Sequence, residues 1–240
     1  MRVHVDEARL FVISDLHLGN PSSTARSRVV PFLDHALEMR ANICINGDGF
    51  DLAQTSFPRL AGDSVPVLGR LRRLQESGLR VYYVVGNHDM ALEHFLSDLV
   101  FTELAPFLNV RSGDRRIRVE HGHLYDPWFV RAPRIYDAGT RLIGHALTMI
   151  PDIYSTYARL ERRVDAWRGE RTGQVSDDPY HAAAERLAER GFDAVIFGHT
   201  HNAESIDLGG ATYLNSGNWM RSSTYVDVDG GAVSLERWDP

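Results

Sequence analysis

The segment "VIFGHTHN" ends in two imidazoles, His199 and His201, held one threonine apart directly after an apolar run and a glycine. Four other apolar runs close on comparable residues: Asp15 and His17 in "SDLHLG", Asp48 and Asp51 in "NGDGFD", Asn87, His88 and Asp89 in "GNHD", and His121 and His123 in "HGH". Carboxylate oxygens and imidazole nitrogens together, with no cysteine among them, suit manganese, iron or zinc better than magnesium or calcium. Asp15 with His17, and His199 with His201, are pairs that a short loop beyond a strand end can aim at one point. Asp15, His17, Asp48, Asn87, His121, His199 and His201 exceed what one ion needs. They point to two ions about 3.5 to 4 Å apart, bridged by a carboxylate. With only Asp15 and Asp48 ionised among them, two divalent cations leave a positive surplus that a phosphate can neutralise and a neutral substrate cannot. The chemistry implied is in-line attack at phosphorus.

The elements that must carry these residues are short runs rich in Val, Ile, Phe and Tyr: "RLFVISD", "NICINGD", "RVYYVVGNHD", "RIRVEHGH" and "DAVIFGHTH". Such runs read as buried strands. Helical patterns lie between several of them, including "VVPFLDHALEMR", "SVPVLGRLRRLQESG" with Pro66 near its start and Gly78 as its cap, and "YHAAAERLAERG" ending at Gly191. Strand and helix alternation predicts an α/β fold whose site forms where the carboxyl ends of strands meet. Near the C-terminus "ATYLNSGNW" and "TYVDVDGGAVSLERW" predict strands, the latter a hairpin turning on "DGG". The stretch from 125 to about 178 breaks the alternation with long helical patterns and is predicted to be an insertion into a single domain spanning 1–240.

The chain has 240 residues, 43% of them hydrophobic, which is enough for one large core. Its formal charge of -6 gives no general attraction to nucleic acid. All 26 basic residues are arginine, which excludes Schiff-base and P-loop lysine chemistry. The single cysteine, Cys44, excludes a disulfide framework and reads as a small buried hydrophobe. No apolar run approaches the roughly 20 residues that span a bilayer, and the N-terminus lacks the pattern of a signal peptide. A cytoplasmic protein is expected, with peripheral contact at the inner membrane surface as a variant of that reading.

The ordered set D-x-H, GDxxD, GNHD, an H in "HGH" and GHxH, from about residue 10 to about 220, resembles the calcineurin-like metallophosphoesterase superfamily. The resemblance implies a four-layer α/β/β/α sandwich and a dinuclear centre whose bridging hydroxide attacks phosphorus. It implies that Asp15, His17, Asp48 and His201 hold one ion and Asp48, Asn87, His121 and His199 the other, with manganese as the first choice and iron or zinc as alternatives. It makes His88 the residue that contacts phosphate and protonates the leaving oxygen, with Asp89 orienting it. Asn20, Asp51, His123, Arg131 and Arg134 are candidates for supporting the ligands or touching substrate.

"SDLHLG", the insertion after "HGH", and "NSGNW" resemble the branch that includes UDP-2,3-diacylglucosamine diphosphatase, which implies a nucleotide-linked lipid diphosphate as substrate. That branch usually has arginine where this chain has His88, the general choice of the superfamily, and "HGD" where this chain has "HGH". A soluble phosphodiesterase or phosphatase acting on a nucleotide or phosphoprotein is the alternative, and a non-catalytic scaffold on the same fold is a third. The insertion reads either as a cap whose arginines meet a diphosphate and whose apolar face accepts lipid, or as an amphipathic helical pair packed on the core. A dimer interface is a further reading of its apolar face.

Overall fold

The structure is a computed structural model that describes residues 4–20, 23–51, 55–89, 101–132, 139, 179–220 and 222–239. Among the described residues, twelve strands make two six-stranded sheets. One sheet holds β2 (Arg9–Ile13), β3 (Asn42–Asn46), β4 (Val81–Val84) and β5 (Glu103–Ala105) in parallel succession, with β11 (Thr224–Asp229) antiparallel to β2 and β12 (Ala232–Arg237) outside it. The other runs β1 (His4–Asp6), β6 (Leu108–Ser112), β7 (Arg115–Val119), β8 (Ala194–Phe197), β10 (Thr212–Asn215) and β9 (Glu204–Asp207), with β7, β8 and β10 parallel.

The period of two along each strand builds the layers. Leu10 and Val12 of β2, Cys44 of β3, and Tyr82 and Val84 of β4 face an inner core against Val110, Val119, Ala194 and Ile196 of the second sheet. Phe11, Ile13, Ile43, Ile45, Val81 and Tyr83 face the other way, onto helices α1 (Ala25–Glu38) and α2 (Phe57–Glu76). On the far side Val195, Phe197 and Tyr213 receive Ala183, Ala184 and Leu187 of α4 (Pro179–Glu189). Helix, sheet, sheet and helix are the four layers expected from the sequence. Both faces of the central strands are covered, which is why they read as continuous apolar runs.

The helices dock by the stripe that their spacing supplies. Val29, Phe32, Leu33 and Ala36 repeat on one face of α1, and Val67, Leu71 and Leu74 on one face of α2. Truncating Leu71 to alanine there costs about 2 to 5 kcal/mol. The start of α2 differs from the sequence reading. Pro58 stands in its first turn and Pro66 lies inside it, so the helix begins well before the expected proline. Gly78 does follow α2 in the left-handed region, at φ +82°, as a cap requires. Cys44 is buried and free, and burial pushes its thiol pKa far up. After the 3₁₀ turn η1 (His123–Tyr125) and the short helix α3 (Pro127–Arg131), most of the expected insertion, 133–138 and 140–178, lies outside the described residues. Among the described residues no helix is long and apolar enough to cross a membrane.

Candidate metal centre

Five strands deliver the candidate residues, and each lets go of them at its carboxyl end. β2, β3 and β4 are neighbours in one sheet, β7 and β8 in the other, so their following loops converge on the same edge of the sandwich. Cross-bonds hold the loops together: the backbone N–H of Asp15 donates to the Gly47 carbonyl at 3.1 Å, that of His17 to the Asp48 carbonyl at 2.9 Å, and that of Gly198 to the His121 carbonyl at 3.1 Å. The two sheets are tied by the Asn46 side-chain amide, which donates to the Glu120 carbonyl at 3.0 Å.

The loops turn by backbone that most side chains avoid. Asp15, His17, Asp48, His199 and His201 have φ of 55°, 44°, 51°, 66° and 60°, five of the seven non-glycine residues at positive φ among the described residues. Aspartate and histidine tolerate that region better than most residues, yet each such residue costs of order 1 kcal/mol or more unless its surroundings enforce it. Space is equally tight. A side chain at Gly86 would run into the Asp48 carboxylate and backbone nitrogen, and one at Gly47 into the His121 ring.

Five pairings organise the centre. His201 Nε2 lies 3.1 Å from Asp15 Oδ1 and 3.2 Å from His17 Nε2. His121 Nε2 lies 3.2 Å from both Asp48 Oδ2 and Asn87 Oδ1. His17 Nε2 reaches to 4.0 Å of Asp48 Oδ2, which links the two groups. Asp15, His17 and His201 can bring ligand atoms within 4.8 Å of one another, and so can Asp48, His121 and His199. A third such group, His17, Asp48 and His88, overlaps both. All seven expected ligands are therefore gathered.

Charge says what this cluster fits. Asp15, Asp48 and Asp51 are all buried, and their neighbours are imidazoles. Burial alone would raise the Asp15 pKa, but His201 and then His121 bring it down to about 2. Asp48 is likewise held well below the usual carboxylate range, chiefly by His121 and then His88 against its own burial. Asp15 Oδ1 is buried without a well-aligned hydrogen-bond donor, while two Nε2 atoms converge beside it. Buried carboxylates gathered with imidazoles are a donor set for divalent cations.

The supporting residues sort differently from the sequence reading. Asp89, expected to orient His88, instead accepts the backbone N–H of Gly49 at 3.0 Å and of Gly86 at 2.7 Å, and the Tyr83 hydroxyl. The carboxylate facing His88 is Asp51, with Oδ1 3.5 Å from His88 Nδ1 and Oδ2 3.6 Å from His17 Nδ1. The family resemblance implied Asp89, but a residue next in sequence points elsewhere once the loop turns. Burial depresses the His88 pKa, but Asp48 and then Asp51 outweigh it and raise it to about 9. Asn20 donates to Asp51 Oδ2 at 2.8 Å. His123 lies beside the cluster, its ring 5.5 Å from that of His121, and burial followed by His121 lowers its pKa to about 3. Arg131 stands exposed at the end of α3, and no described contact joins it to the cluster. Arg134 lies outside the described residues.

Two partners escaped the sequence reading. The Asn46 carbonyl sits 2.8 Å from His121 Nδ1, and Asp126 Oδ2 sits 3.2 Å from His199 Nε2. A backbone carbonyl leaves no signature in the sequence. Asp126 left a faint one, an aspartate before proline, the pattern of a helix N-cap.

A doubly covered two-sheet sandwich with a histidine and carboxylate cluster at its strand ends is the frame of a metal-dependent phosphoesterase. The sequence profile of the "Calcineurin-like phosphoesterase" family matches residues 8–203, and the chain belongs to that family. A UDP-2,3-diacylglucosamine hydrolase of Porphyromonas gingivalis is 23% identical over 270 residues, covering 95% of this chain and 97% of that protein. An archaeal phosphodiesterase superposes with a TM-score of 0.51 at 12% identity, over 96% of this chain and 99% of the other. A double mutant of Vps29 from Entamoeba histolytica does so with a TM-score of 0.50 at 18% identity, over 96% and 98%. At such identities the two structures speak for the fold alone.

Proposed function

We propose that this chain is a two-metal phosphoesterase that hydrolyses the diphosphate of a nucleotide-linked lipid of the UDP-2,3-diacylglucosamine kind. The observation that carries the two-metal part is Asp48, one buried carboxylate 3.2 Å from His121 Nε2 on one side and 4.0 Å from His17 Nε2 on the other. Asp15, His17, Asp48 and His201 are read as holding one ion and Asp48, Asn87, His121 and His199 the second, manganese being the first choice. When bound, such ions polarise phosphoryl oxygens and make water a nucleophile at neutral pH.

The remaining work falls to the chain's own groups. His88, whose pKa Asp48 and then Asp51 raise to about 9 in the metal-free site, is suited to hold a proton and give it to the leaving oxygen. Asp51, facing Nδ1, leaves Nε2 for that task and keeps the ring charged. Asp89 fixes the loops that carry Asp48 and His88 by tying Gly49 to Gly86. The near full-length match to the Porphyromonas gingivalis hydrolase supports the lipid substrate. So do the exposed apolar side chains Leu124, Trp128 and Val130, which follow "HGH" directly and suit an amphiphile at the inner membrane surface. A second reading, a soluble phosphodiesterase, is favoured by His88 itself, which the matching branch usually replaces with arginine.

Mass spectrometry of products formed from UDP-2,3-diacylglucosamine by manganese-loaded and metal-stripped protein tests the proposal. Metal-dependent release of UMP and the lipid sugar phosphate is expected. Intact lipid substrate from a preparation that still cleaves an aryl phosphodiester overturns the substrate and keeps the two-metal chemistry.

A further inference from the structure

We infer that Asp126 is a positioning residue for His199, setting which of its two ring nitrogens faces the metal centre. The inference rests on the reading of His199 as a metal ligand. Asp126 Oδ2 lies 3.2 Å from His199 Nε2. A carboxylate offers no proton, so its imidazole partner must be the N–H, and in a neutral ring the lone pair then resides on Nδ1. The ring is held from other sides as well. It meets His121 edge to face at 5.2 Å, and the backbone N–H of His199 donates to Asp15 Oδ2 at 3.1 Å. The nitrogen left for Asp48 and His121 is Nδ1.

His121 is set the opposite way. Its Nδ1 faces the Asn46 carbonyl at 2.8 Å, so once the ring gives up a proton its lone pair falls on Nε2, toward Asp48 and Asn87. The two imidazoles of one ion are thus fixed in opposite tautomers by two acceptors, and only one of those is a side chain. That side chain has a second duty. Asp126 Oδ1 accepts the backbone N–H groups of Trp128 at 2.8 Å and Phe129 at 3.4 Å, capping α3. One carboxylate therefore joins the orientation of a metal-facing histidine to the start of the helix that carries Trp128 and Val130. Outer acceptors of this sort typically change metal affinity by about 10 to 100-fold.

Asp126→Asn separates the two duties. Asparagine caps a helix about as well as aspartate, so α3 is kept. With its oxygen used by the cap, its amide N–H points at Nε2 and draws the ring proton to Nδ1, where it blocks a metal bond. The experiment is zinc titration calorimetry, with ¹⁵N-histidine NMR of the zinc-loaded protein, on wild type, Asp126→Asn and His199→Ala. Expected are a proton on Nε2 of His199 in wild type and a 10 to 100-fold weaker affinity for one of two ions in Asp126→Asn. Circular dichroism of that variant is expected to stay native. A proton on Nδ1 in wild type overturns the inference without any variant. Wild-type affinity for both ions in Asp126→Asn, while His199→Ala loses one, overturns it and spares the ligand reading. Two ions bound at full affinity by His199→Ala overturn the ligand reading, and the role of Asp126 with it.

Discussion

Replacing Asp51 with asparagine removes a charge 3.5 Å from His88 Nδ1 while keeping the shape of the side chain. At an effective dielectric of about 20, a charge pair at that distance is worth roughly 5 kcal/mol. The rise of the His88 pKa from 6.5 to about 9 corresponds to only roughly 3 kcal/mol, because burial takes part of the attraction back and Asp48 shares in raising it alongside Asp51. Losing Asp51 should therefore lower the pKa of His88 by about one to two pH units. In the metal-free protein NMR titration of the His88 ring reads that fall directly, and if His88 protonates the leaving oxygen, the alkaline limb of the pH profile of kcat moves toward neutral pH in the same direction. At a pH above the new limb the rate then falls by about tenfold or more. His88→Gln should abolish the limb. An Asp51→Asn limb that stays in place while metal binding is intact would refute the pairing of these two residues in the mechanism.

In the metal-free protein His88 contributes stability that is fully present below pH 6.5, its unfolded value, and is lost as pH rises through about 9. Urea denaturation should accordingly show a gap between wild type and His88→Gln of up to roughly 3 kcal/mol at pH 6, closing by pH 9.5. His121 is raised to about 10 in the empty site, by Asp48 and Asp15 against burial, and must lose its proton to bind a cation. Calorimetry in buffers of different ionisation enthalpy should find protons released, with the logarithm of the association constant rising by about one per pH unit between pH 6 and 9; no proton release would contradict the ligand role. Gly86→Ala should cost about 1 to 3 kcal/mol by thermal denaturation and weaken metal binding, since the added methyl meets the Asp48 carboxylate. An unchanged Tm and affinity would mean that the loop gives way freely.

The strands that carry the site were legible because burial on both faces writes them as unbroken apolar runs. Leu10 to Ile13, Ile43 to Ile45 and Ala194 to Phe197 have neighbours on each side, and the sequence says so. The seven residues gathered at the strand ends were legible for a related reason, since a polar residue placed directly after such a run has to stand at the sheet's edge. Short strands were not readable. β1, β5 and β9 hold only three or four residues each, with exposed or half-buried positions apart from Ala105 and no apolar run to mark them. The pairing of His88 with Asp51 rather than Asp89 was also hidden, because it joins the loops after β3 and β4, and sequence neighbours say little about contacts between strands. Pro66 misled for a local reason. A proline was expected at a helix start, Pro58 already fills that place, and α2 simply continues through the second one.

The left-handed turns at Asp15, His17, Asp48, His199 and His201 carry a consequence for how such a protein can be altered. Glycine enters that backbone region without steric cost, so at these five places the least strained residue is one that can do no chemistry. A lineage or a designer rewarded only for relieving backbone strain would drift toward glycine there, erasing activity. His199→Gly and His201→Gly in the metal-free state are the places where that trade is most directly visible, each relieving about 1 kcal/mol of strain as it removes an imidazole. Catalytic competence here is a property held against the preference of the chain, and a thermally hardened relative bearing glycine at these turns would be a phosphoesterase in shape only.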